Sequence, residues 1–146
     1  MTDEQALIDL IAAHREAVLA TVKRDGHPQL SNVLYVWDAD ARVARVTTTA
    51  DRLKARILRR DPRAALHVAG PSHWAYAVVE ADAEVSDEAR TPGDDVCREL
   101  LPVYTTLMGP QDEEALYERL VAERRVVVRL HATRVYGLVV ERSPSA

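Results

Sequence analysis

The chain has 146 residues, is 47% hydrophobic and carries a formal net charge of −4, which suits one folded domain, residues 1–146, burying roughly two-thirds of its unfolded surface. Disorder is excluded by that composition, no run reaches the roughly 18 apolar residues of a membrane span, and no charged-then-apolar signal segment opens the sequence. The acidic balance disfavours nucleic acid as a partner, and the single cysteine, Cys97, excludes an internal disulfide and argues against a zinc cluster. The expectation is a cytoplasmic protein with neither a membrane nor a nucleic-acid partner.

Thr2-Asp3-Glu4-Gln5 has capping-box spacing, with Thr2 as N-cap, and Leu7, Ile8 and Ile11 form one apolar stripe. Together they predict a helix from residue 3 to about 15. "AVLATVKRDGHPQLSNVLYVWD" reads as two strands around Asp25-Gly26, a dipeptide that favours tight hairpins. "ARVARVTTT" supplies a third strand. "DRLKARILRRDPR", residues 51–63, follows as a short helix stopped before Pro62. "AALHVA" and "WAYAVVEADAEVS" are the fourth and fifth strands, parted by Gly70-Pro71. From Thr91 the apolar spacing turns helical through Val121, with a break at Gly109-Pro110, and "RVVVRLHATRVYGLVV" closes with one or two strands. Strands in adjacent runs, not alternating with helices, predict a mainly β fold: an antiparallel barrel with helices attached.

Familiar catalytic signatures are missing. The five histidines lack metal-ligand spacing, no Gly-rich nucleotide loop occurs, and no G-x-S-x-G elbow supports hydrolase chemistry. No catalytic side chain and no metal site is therefore assigned. What remains is a cofactor that brings its own reactivity, or no chemistry.

The informative segment is the basic helix, which holds six of the chain's nineteen Lys and Arg residues. On a helical wheel Arg52, Arg56, Arg59 and Arg60 share one side, and Leu53, Ile57 and Leu58 the other, with Lys54 among the latter. An arginine face is ordinarily a solvated face. A lysine in the first turn, aimed with the apolar stripe, either snorkels to water or meets an anion at the free N–H groups of the helix N-terminus. Thr47, Thr48 and Thr49 precede it at a strand-to-helix junction, where hydroxyls cap a helix or bind phosphate oxygen, unless they are there for β-propensity alone. Strand alternation puts Asn32 in one row with Leu30, Leu34 and Val36, a buried carboxamide in need of a partner unless a bulge turns it outward. Trp74 and Tyr76 share a face of the fifth strand, as core filling or as the wall of a planar-ligand site.

The stretches "ATVKRDGHPQLSNVLYVWD", "VTTTADRLKARILRRDPRAALHV" and "WAYAVVEADAEV" resemble the pyridoxamine 5′-phosphate oxidase-like, FMN-binding split β-barrel family. Within it they are most similar to the actinobacterial subgroup that uses the deazaflavin coenzyme F-420. The resemblance covers most of the chain and implies a homodimer with two cofactor sites between subunits. It implies that Lys54 and Arg52 hold the cofactor phosphate with Thr47, and that Gln29 and Asn32 contact the ring or its polar chain. Arg56 and Arg60 would meet the acidic tail of F-420, which FMN lacks, and Trp74 and Tyr76 would line the site near the ring. The implied activity is hydride transfer between the reduced deazaflavin and a small electron-poor acceptor. The alternatives are an FMN-dependent oxidoreductase and a non-catalytic cofactor or tetrapyrrole carrier. Ile57 and Ala81 depart from the subgroup, which often has Asn and Gly there.

Overall fold

The structure is a computed structural model that describes residues 3–140. Thr2, expected to cap the first helix, lies outside the described residues. Asp3 is the N-cap, its carboxylate accepting from the Ala6 amide at 2.8 Å. Helix α1 (Glu4–Ala13) buries Leu7, Leu10 and Ile11 against the sheet. Strands β1 (Glu16–Val22) and β2 (Pro28–Leu34) form the expected hairpin; Gly26 turns at φ +87°, a conformation that favours glycine. Then come β3 (Val36–Asp38), β4 (Val43–Thr49), α2 (Leu53–Arg60), β5 (Arg63–Ala69) and β6 (Ala75–Val85). Helices α3 (Asp95–Met108) and α4 (Glu113–Ala122) precede β7 (Arg125–Val139), which is one long strand.

All seven strands belong to one antiparallel sheet in the order β2-β1-β5-β6-β7-β4-β3. Its two edges, β2 and β3, are consecutive in the chain and separated only by Tyr35. A flat seven-stranded sheet would hold its edges about 29 Å apart, whereas the step from Leu34 to Val36 reaches about 7 Å. The sheet therefore curls into a barrel that is split along the β2 edge. Inside it lie Leu19, Leu66, Val68, Val79, Val46 and Tyr35, all almost fully buried. A second core, including Val96, Leu100, Tyr104, Leu116 and Leu120, packs α3 and α4 on the outer side of β7 at Val127. Glu99 of α3 ties this layer down by accepting from Arg129 at 2.6 Å and Arg45 at 2.9 Å. Cys97 is buried in α3, as a small apolar residue there should be.

Two expectations fail here. The row Leu30, Asn32, Leu34 faces outward, and Asn32 is exposed, as are Leu30 (62%) and Leu34 (43%). The β1–β2 register is unbroken, so no bulge turned it. Alternation decides which residues share a face but not which face is inside, and here the inner row is the more polar Gln29, Ser31 and Val33. In α2, Leu53 sits at the first turn and is 49% exposed, while Ala55, Ile57 and Leu58 make the buried side. Ala81 lies at a β-bulge between β6 and β7, where the strand bends.

Gly137, in β7 at φ +151°, is where β6 comes closest. A Cβ there would collide with the Tyr76 carbonyl and lie 2.9 Å from Ala77 Cα. Gly137→Ala is expected to cost about 2–3 kcal/mol, and Gly26→Ala, which meets no atom within 4 Å, only about 1 kcal/mol for its positive φ. Urea unfolding of both variants measures the difference.

Candidate anion-binding cleft

Along the split, where β2 and β4 face each other without pairing, lies a cleft of about 530 Å³. Its β walls are Asn32–Leu34 and Thr47–Thr49; α2 contributes Arg52 and Lys54, α3 contributes Tyr104, Leu107 and Met108, and Arg119, Glu123 and Arg125 close the far side. Four cationic side chains thus face one carboxylate, and Glu123 is paired with Arg125 at 3.1 Å.

The local sequence leaves the α2 end of this cleft electropositive. Helices α1, α3 and α4 each begin with an aspartate that caps an amide and with acidic residues in the first turn. Helix α2 has Arg52 as N-cap with no side-chain cap, and no acid in its first turn. Its first amides and the positive end of its dipole are left to whatever enters the cleft. Lys54 is half-buried there, with no hydrogen-bond or ion-pair partner among the described residues. Burial first, and the neighbouring Arg52 second, push its pKa down from the usual lysine value. Thr47 lends a hydroxyl that donates weakly to the Val126 carbonyl at 3.4 Å, and Thr48 is buried beside it. This donor set, with a desolvated ammonium, a guanidinium, free amides and hydroxyls, fits a phosphate.

Of the residues singled out from sequence, Lys54, Arg52, Thr47 and Asn32 are brought together. Gln29 does not line this cleft; its Oε1 accepts from Thr21 at 3.0 Å and its amide donates to the Leu30 carbonyl. Arg56 and Arg60 lie on the outer side of α2, where Arg60 donates to the Val22 carbonyl at 3.2 Å. Trp74 precedes β6 and is 58% exposed, so it does not share a strand face with Tyr76. Tyr76 stacks on His67 with centroids 5.5 Å apart, on the outward face that carries Asn32 as well, since Asn32 and His67 both pair with Val18 across the sheet. A shallower cleft of about 400 Å³ runs over that face from Asn32 and Leu34 to His67, so Asn32 borders both. Ile57 is buried in the α2 interface and offers the cleft nothing polar. Sequence reading missed Arg119 and Arg125. Arg125 pairs with Thr49 in the β4–β7 ladder, so matching "VTTT" with "RVVVR" as neighbouring strands is the signal that could have found it.

No helix among the described residues is long and apolar enough to cross a membrane, and no cluster of His, Cys, Asp and Glu among them could hold a metal ion.

Solved structures of the same fold include a conserved hypothetical protein of Mycobacterium tuberculosis, at 23% identity and TM-score 0.72, covering 100% of this chain and 96% of that one. An F-420 reductase matches at 25% identity and TM-score 0.67 over 88% of this chain and 94% of its own. The heme storage protein HutZ of Vibrio cholerae matches at 14% identity and TM-score 0.67 over 94% and 96%. The fold thus serves reductase and storage roles alike.

A charged lysine desolvated without a partner costs stability. Because the fold lowers the Lys54 pKa, that cost is present while the side chain is protonated and fades as pH rises through the lowered value. Lys54→Met is therefore expected to raise the thermal midpoint of the ligand-free protein at neutral pH, by a margin that narrows in alkaline buffer; calorimetry across pH measures it. Residues 3–138 match the pyridoxamine 5′-phosphate oxidase family, and with its split barrel and the cleft at the split the chain belongs to that family.

Proposed function

We propose that the protein is a deazaflavin (coenzyme F-420)-dependent oxidoreductase, acting between the reduced cofactor and a small electron-poor organic acceptor. The observation that carries this reading is Lys54, half-buried and unpaired at an uncapped helix start, in a cleft with more positive charge than one phosphate needs. The F-420 reductase among the structural relatives supports it. Lys54 and Arg52 hold the phosphate, Thr47 adds a hydroxyl, and Asn32 meets the polar chain or the ring at the cleft mouth. When bound, a reduced deazaflavin supplies the hydride itself. The protein's part is to anchor and orient the cofactor and to leave its reacting face open to the acceptor.

A homodimer is part of the proposal. The outward sheet face exposes Leu30, Leu34 and Tyr136 around the shallow cleft. A second copy covering it would bring its own Trp74 and Tyr76 toward the cofactor, whereas Gln29, in the inner row of β2, would stay out of reach. Light scattering at micromolar concentration is expected to give twice the 16.3 kDa chain mass. A monomer would remove the between-subunit arrangement.

FMN is the second reading, because a phosphate anchor serves either cofactor. Titration of the apoprotein with F-420 and with FMN separates them, tighter F-420 binding being expected at low salt. Lys54→Ala is expected to weaken F-420 about ten- to a hundredfold, and Arg60→Ala less than about fivefold. Equal losses would mean a diffuse basic surface. Turnover with quinone or enone acceptors distinguishes an enzyme from a carrier.

A further inference from the structure

We propose that Arg119, not the outer arginines of α2, is the second anion-binding station of the cleft, holding a carboxylate that the ligand carries beyond its phosphate. The inference rests on the cofactor reading above and extends it to the direction in which the ligand lies. The cleft is bounded by Lys54 and Arg52 on α2 and by Arg119 on α4. Arg125 is also there, but its charge is engaged by Glu123 at 3.1 Å. The Arg119 guanidinium has no hydrogen bond or ion pair among the described residues. Its guanidinium instead lies over the Tyr104 ring, 5.5 Å from the centroid.

That stacking matters for recognition. Tyr104 is 5% exposed and fixed in the α3–α4 core, so it makes a rigid shelf. A guanidinium resting on a ring keeps its N–H edge free for a carboxylate, and holding the side chain beforehand lowers the entropy lost on binding. Arg56 and Arg60 lack this placement. They lie on the outer side of α2, they do not line the cleft, and Arg60 is already bonded to a backbone carbonyl. A ligand whose phosphate sits at Lys54 therefore reaches Arg119 within the same cleft, whereas Arg56 requires it to leave. The recognised class is a phosphate ester bearing one or more further carboxylates.

The test uses the full-length chain and two probes: the phosphorylated deazaflavin without glutamates, and the same molecule with its glutamate tail. Wild type is expected to bind the tailed probe about three- to tenfold more tightly at low salt. Arg119→Ala is expected to lose that gain while binding the tail-free probe as wild type does. Arg119→Lys should restore only part of it, because an ammonium does not stack or bind bidentately. Arg56→Ala/Arg60→Ala should keep the gain. If Arg119→Ala keeps it and the double variant loses it, the tail crosses the outer face of α2 and the inference is overturned; so is it if neither set changes it. If Lys54→Ala leaves both probes unaffected, the phosphate anchor itself fails, an outcome separate from the loss of the Arg119 station alone. Arg119 is exposed, so its replacement should leave the thermal midpoint nearly unchanged.

Discussion

Tyr35 is the only residue between the two edge strands of a seven-stranded sheet, and the rest of the architecture depends on that short link. It obliges the sheet to curl. The link is held from both sides: the Tyr35 amide donates to the Arg15 carbonyl at 2.8 Å, and its buried hydroxyl donates to the Ile11 carbonyl at 2.6 Å. Curling brings β2 alongside β4 without pairing them, and the gap so left is the cleft. Asn32 faces Thr47 across that gap because the sheet is nearly but not fully closed. The candidate site is thus a consequence of the topology, and the helices that follow β4 and β6 furnish its walls.

Against this scaffold the start of α2 is locally unfavourable. Arginine as N-cap and lysine in the first turn oppose the helix dipole, and the other three helices avoid that arrangement. Moving Lys54 to the outer face would have been cheap, since Arg56, Arg59 and Arg60 already stand there. A desolvated cation without a counter-charge is the kind of local inconsistency that functional sites retain at a cost in stability. The large buried core of the barrel makes that cost tolerable.

Much of the fold was legible because it rests on local signals. Alternation marked the strands, Asp25-Gly26 marked the hairpin, and Pro62 marked the end of α2. The wheel that set Lys54 apart from Arg56 and Arg60 was also local, and the structure agrees with it there. Arg52, grouped by the wheel with the outer arginines, is instead the N-cap and lines the cleft beside Lys54. Asn32 was misplaced because parity cannot tell inside from outside, and on β2 the apolar row is the exposed one. Leu53 was misplaced because a wheel ignores helix ends, where a residue overhangs its support. Arg119 and Arg125 escaped notice because only the docking of α3 and α4 on β7 brings them to the cleft, some sixty residues or more after Lys54. No periodicity in one segment carries that information.

The central claim is that Lys54 waits for a phosphate at the head of α2. A crystal structure of the protein with bound F-420 tests it most directly. The account predicts phosphate oxygens within about 3 Å of Lys54 Nζ and of the first α2 amides, with Arg52 beside them. A phosphate bound elsewhere, with Lys54 still facing solvent, would contradict it.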